Sequence, residues 1–182
     1  MKLFADRGFG GTTAKEIAEK ACVSEVPIFR YFYTKRDLYG SIIEKKINEE
    51  PRIEEPLKRY RATKDDSYIF RSIALRMFDK CGGDPDFIRL LHYSALEEHE
   101  LSDMFFDTYV EYIDSLLSEY IEDRISEGAF KKINPLIAAR AFTGMVINHI
   151  IVQALFMEKR KGNIKLEDLV ESFVKIFLEG MK

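Results

Sequence analysis

Apolar side chains recur three and four residues apart along almost the whole chain, with no sustained alternation of period two. That spacing matches the α-helical turn and leaves no segment suited to a half-buried strand. The fold class it implies is all-α. The punctuation agrees. Asp84-Pro85 and Asn134-Pro135 each set a capping side chain before a proline at the first helical position, where a missing N–H costs nothing. Gly82-Gly83, Gly128 and Gly162 mark helix ends. The stretch from Glu50-Pro51 to Pro56 reads as a break, because a residue before proline avoids helical dihedrals. About nine helices are expected, near 1–7, 13–21, 25–32, 35–50, 64–81, 85–99, 102–127, 135–160 and 166–180.

Charge divides this helical chain. The net charge of -3 argues against a generally basic nucleic-acid binder. Yet residues 1–47 hold nine Lys/Arg against six Asp/Glu, a balance of +3, and residues 48–182 hold nineteen against twenty-five, a balance of -6. Such asymmetry predicts two functional regions, 1–47 and 48–182, with the fourth helix joining them. At 182 residues the chain can bury a core without disulfides or metal. Two distant cysteines, Cys22 and Cys81, fit a reducing compartment, so a cytoplasmic location is expected. No uninterrupted apolar run reaches the ~18 residues of a membrane span, and no membrane partner is expected.

The basic region has a definite local grammar. Thr13 and Glu16 have the spacing of a capping box, and so do Thr34 and Asp37. Between them, a helix with Ile17, Ala18 and Ala21 as its buried stripe meets a tight turn, Cys22-Val23-Ser24, with Val23 turned inward. Ser24 is placed to cap a second helix, 25–32, with Pro27 in its first turn. Ile28 and Phe32 face the core, leaving Val26, Pro27, Arg30 and Tyr31 outward. Two short helices across a three- or four-residue turn make a helix-turn-helix, whose second helix enters the major groove of DNA. Arg30 suits guanine edges or phosphates, Val26 and Pro27 suit thymine methyls, and Thr13, Tyr31 and Lys35 suit phosphates.

The run Leu3-Phe4-Ala5, Gly8-Phe9, Gly11-Thr12-Thr13, Ile17-Ala18, Ala21, Val23-Ser24, Ile28-Phe29, Tyr31-Phe32, Lys35, Leu38 resembles the tetracycline-repressor (TetR) family over residues 3–38. The resemblance implies a one-component, ligand-responsive transcriptional regulator, usually a repressor. It further implies a small DNA-binding domain on a larger helical domain that binds a small molecule and dimerises. It places Thr13, Lys15, Ser24, Glu25, Val26, Pro27, Phe29, Arg30, Tyr31 and Lys35 at the DNA interface. The partners expected from it are a palindromic operator duplex, a small-molecule effector and a second copy of the chain. Three departures stand out. Cys22 occupies a turn position that is usually glycine, and Phe29 one that is usually tyrosine. The first helix starts only at Met1, shorter than the family norm, which is expected to weaken DNA affinity. A helical ligand-binding protein whose amino-terminal unit does not bind DNA is the alternative reading.

The acidic region is rich in aromatics and methionine. Phe70, Met77, Phe87, Leu91, Phe105, Tyr109, Tyr112 and His149 are the candidate lining of a pocket for a small, partly apolar molecule. Residues 136–157 are broadly apolar around the helix, interrupted by Arg140, Thr143, Asn148, His149 and Gln153, and need cover on more than one face. With the last helix they suggest half of a four-helix dimer interface, with candidates Phe142, Met145, Val152, Phe156, Phe173 and Phe177. His92 and His99 lie near Glu97, Glu98 and Glu100, but no Glu-x-x-His pair is completed, and no metal or cofactor is expected. No nucleophile elbow, phosphate-binding glycine loop or paired-cysteine zinc motif is present, so no enzyme is expected.

Overall fold

The computed structural model describes residues 1–48, 64–98, 100–157 and 164–182. Among these residues every regular element is helical. The order is α1 (Lys2–Arg7), α2 (Ala14–Lys20), α3 (Glu25–Tyr31), α4 (Lys35–Asn48), α5 (Asp66–Met77), α6 (Pro85–Leu96), α7 (Glu100–Phe105 and Glu111–Ser126), α8 (Pro135–Val152) and α9 (Leu166–Met181). The all-α expectation and the helix positions hold. Periodicity did not show three π-helical turns: Phe78–Gly82 after α5, Phe106–Val110 inside α7 and Gln153–Met157 after α8. The break at Glu50, Pro51 and Pro56, the residue His99 and the helix end at Gly162 lie outside the described residues.

Short-range chemistry sets the helix ends. Asp65 Oδ1 accepts the Tyr68 N–H at 3.0 Å and opens α5. Asn134 Oδ1 accepts the Ile137 N–H at 3.1 Å, with Pro135 behind it, and opens α8. Gly128 closes α7 at φ 75, a left-handed turn that glycine adopts without a side-chain penalty.

By packing, the chain forms two units: Met1–Pro51 with Asp86–Tyr109, and Arg52–Pro85 with Val110–Lys182. The division at 47 therefore follows charge, and packing divides the chain otherwise. In the first unit Tyr39 is fully buried, meets Phe4 edge-on and Phe9 at a tilt with ring centroids 4.7 and 5.3 Å away, and donates its hydroxyl to the Leu90 carbonyl at 3.2 Å. Burial, then the Glu97 charge, push its pKa up to about 12. These contacts tie α6 to the amino-terminal helices.

The second unit is built on Phe70 from α5, Phe142 from α8 and Phe177 from α9, whose ring centroids lie 4.8–5.2 Å apart. Beside this core Asp66 is buried, accepting from the Tyr120 hydroxyl at 2.6 Å and from Arg124 Nε at 2.8 Å. A carboxyl group buried without such partners would be costly. By length and composition Pro135–Phe156 is apolar enough to cross a membrane, at 22 residues and a mean hydropathy of 1.5. Here it packs against α5, α7 and α9, and Arg140 on its surface pairs with buried Asp114 at 3.3 Å.

Candidate DNA-reading site

Both capping boxes form. Thr13 Oγ1 accepts the Glu16 N–H at 3.2 Å, and Glu16 Oε2 accepts the Thr13 N–H at 2.9 Å. The Thr13 backbone bond, then its hydroxyl, then Arg7 at 2.7 Å hold the Glu16 carboxyl below its usual range. At α4, Asp37 Oδ2 accepts the Thr34 N–H at 2.8 Å and Thr34 Oγ1 accepts the Asp37 N–H at 3.1 Å. These local bonds aim the starts of α2 and α4, each with the partial positive charge of a helix N-terminus.

Between α2 and α3 the chain turns through Cys22 at φ 56. The substituted glycine position does require a left-handed residue, and the cysteine adopts it. Ser24 occupies the N-cap of α3 but makes no side-chain capping bond, contrary to expectation. The sidedness of these helices also differs in detail. In α2 only Ala18 is buried; Ile17 is half-buried and Ala21 exposed. Val23 is exposed as well, and Ile28 and Phe32 are only half-buried. The reason is size: α3 has seven residues and buries none of them.

The outward set is as expected on α3. Val26 is 77% exposed and Tyr31 80%, and Ser24, Glu25, Pro27, Phe29 and Arg30 are exposed with them. Thr13 and Lys15 are exposed on α2. Lys35 is the departure. Its ammonium donates to the carbonyls of Phe9 and Thr12 at 2.7 Å each and sits 4.1 Å above the Phe9 ring. It holds the α1–α2 loop rather than pointing to solvent, because two carbonyls and a ring face outcompete water for one cation. Sequence reasoning passed over Tyr33, 91% exposed just after α3. The run Arg30-Tyr31-Phe32-Tyr33 holds that signal.

The pocket candidates separate. Phe87, Leu91, Phe105 and Tyr109 belong to the first unit, and Phe70, Met77, Tyr112 and His149 to the second. Phe70 and Met77 are core residues of the second unit, and Phe87 and Phe105, 5.5 Å apart, pack together in the first. His149 lines a cavity of about 690 Å³, with Leu75, Phe78, Asp79, Gln153 and Leu166 among its walls. Its ring lies between Phe78 and Phe173, at 5.8 and 6.2 Å, and burial lowers its pKa.

The interface candidates separate as well. Phe142 and Phe177 face inward, into their own core. Met145, Val152 and Phe173 are half-buried, and Phe156 is 70% exposed. The outward apolar residues are Ile137, Ala141 and Gly144 on α8, Phe156 in the π-turn after it and, on α9, Ile176, 62% exposed. Among the described residues no group of His, Cys, Asp and Glu could hold a metal ion.

An exposed, capped helix-turn-helix carried with a larger helical region defines a DNA-reading regulator. Comparison with known proteins agrees. Residues 1–42 match the model of bacterial regulatory proteins of the tetR family. Residues 81–180, more than half the chain, match the carboxy-terminal domain of AefR-like transcriptional repressors. The chain belongs to the TetR family of transcriptional regulators. The uncharacterized HTH-type transcriptional regulator YvkB of Bacillus subtilis (strain 168) is 26% identical over 100% of this chain and 92% of its own. Among solved structures, FadR of Bacillus subtilis, in complex with stearoyl-CoA, matches with a TM-score of 0.69 at 18% identity, over 98% of this chain and 94% of that one. AibR, in complex with isovaleryl coenzyme A and operator DNA, matches with a TM-score of 0.64 at 22% identity, over 96% and 91%.

Proposed function

We propose that this regulator is a cytoplasmic homodimeric repressor that reads a palindromic operator with α3 and is released by a small, partly apolar effector. One observation carries the DNA reading: α3 presents Val26, Pro27, Arg30 and Tyr31 outward from a frame fixed by two capping boxes. Residues 1–47 are the reading head and 48–182 the effector and dimerisation region. Val26 and Pro27 touch thymine methyls, Arg30 reads guanine, and Thr13, Lys15, Ser24 and Tyr31 bind phosphates. Glu25 and Phe29 border the same surface, and Lys35 acts by holding the loop.

Dimerisation supports this reading physically. Two recognition helices about 34–36 Å apart meet successive major grooves on one face of the duplex. The outward set of Ile137, Ala141, Gly144, Phe156 and Ile176 supplies the self-complementary face, and its small residues let two helices approach closely. The effector shifts the population toward a state whose two heads are wrongly spaced. FadR and AibR are each complexed with an acyl-coenzyme A, so that class is the first to test. The cavity beside His149 is one receptor for its apolar part, with a neutral imidazole as its polar group. The protein acts by binding and turns over no substrate.

The test is enrichment of duplexes from a randomised pool by the full chain. An inverted repeat is expected, bound with a steep salt dependence and released by an acyl-coenzyme A. If no sequence is enriched at any salt while a ligand still binds, the protein is instead a helical ligand-binding protein.

A further inference from the structure

The loop that aims α2 is gripped by two charged side chains of opposite sign, one of them remote in sequence. Glu97 follows the last turn of α6, and Glu98 beyond it takes φ 51. Glu97 Oε2 accepts the Phe9 N–H at 2.9 Å, and Oε1 accepts the Gly10 N–H at 3.1 Å. Successive amides converging on one carboxylate form an anion nest. A side chain at Gly8 is disfavoured by its φ of 71, and its Cβ would stand 2.6 Å from Oε1, so the Glu97 carboxylate would have to shift. Lys35 takes the carbonyls of Phe9 and Thr12. Two of the loop's amides therefore go to Glu97 and two of its carbonyls to Lys35, and Thr13, the cap of α2, follows directly.

We infer that Glu97 is a positioning residue for DNA recognition: its carboxylate, seated in the Phe9–Gly10 amides, fixes where the start of α2 meets the phosphates. This rests on the DNA-reading function proposed above. Glu97 lies on the segment Asp86–Tyr109, whose two ends continue into the second unit. Its charge alone would repel DNA. An electrostatic role therefore predicts tighter binding when the charge is removed, and a positioning role predicts weaker specific binding. The signs are opposite, which makes the inference testable.

The probe is the duplex that the full wild-type chain enriches from a randomised pool, compared with a shuffled duplex at two salt concentrations by fluorescence anisotropy. For Glu97→Ala, operator affinity is expected to fall about tenfold, with affinity for the shuffled duplex unchanged or raised. Glu97→Gln is expected to fall between, since its one carbonyl can accept one of the two N–H groups. Gly8→Ala should lower operator affinity in the same direction, and the double variant Gly8→Ala/Glu97→Ala should lose less than the two single losses combined. Circular dichroism checks that each variant is folded. Operator binding by Glu97→Ala as tight as wild type, or tighter, overturns the inference. So does an equal loss on both duplexes that Glu97→Gln shares in full. If the wild type prefers no duplex, the DNA-reading function itself fails, and the inference with it.

Discussion

The two units of this protein use the same residue types for opposite ends. In the second unit aromatics turn inward: Phe70, Phe142 and Phe177 meet edge to face within a sealed core. In the head they turn outward, with Phe29, Tyr31 and Tyr33 exposed on and just after a helix that buries nothing. Stability in the second unit comes from burial. The head relies on caps, a small core that includes Phe4, Ala18, Tyr39 and Ile43, and ionic bonds at its loop, and its recognition residues lie outside that core. Core residues and reading residues should consequently fail in different ways when changed.

The largest expected effect is in the core. Phe70→Ala or Phe142→Ala should cost about 3–5 kcal/mol in denaturant unfolding, because each ring is fully buried and the cavity cannot collapse completely. Comparable losses from Tyr31→Ala, which is exposed, would break the contrast between the units. Next comes Asp66→Ala, which strands the buried Tyr120 hydroxyl and leaves the Arg124 guanidinium with Glu127. A loss of about 3 kcal/mol is expected, recovered in part by Asp66→Asn. In the head, Thr13→Ala should cost about 1 kcal/mol and weaken binding to all duplexes alike, by loss of the cap and a phosphate contact. Arg30→Ala should leave unfolding within about 0.5 kcal/mol while relaxing base preference at one operator position, read by repeating the enrichment.

Cys22→Gly is a finer probe. A left-handed non-glycine residue costs about 1–2 kcal/mol, and glycine's extra unfolded-state freedom returns about 0.5–1, so a small net gain in stability is expected. The smallest effect concerns pH. Burial lowers the pKa of His149 below its ordinary 6.5. The unfolded chain therefore takes up that proton first, and stability present above the ordinary value is lost as pH falls through it. His149→Gln should flatten this part of the unfolding profile.

What could be read in the sequence was local. The capping boxes at Thr13 and Thr34 and the proline-led start of α8 each follow from residues a few positions apart. So does the outward face of α3, because a short amphipathic helix leaves little choice of side. The dimer-face and pocket candidates were less legible for a physical reason. A helix broadly apolar around its circumference, such as α8, carries no record of which face meets its own core. Phe142 and Ile137 look equivalent in sequence, and tertiary packing buries one and exposes the other.

Spacing and composition by themselves determined the fold class, the helix order and the reading helix, because helical periodicity and caps act within one or two turns. Only the tertiary structure decided what Lys35 and Glu97 do. Lys35 looked like a phosphate ligand until the Phe9 and Thr12 carbonyls were seen to hold it. Glu97 stands 87 and 88 residues from the amides it accepts. No local rule relates residues so far apart, since their meeting depends on loop closure and packing of the whole first unit.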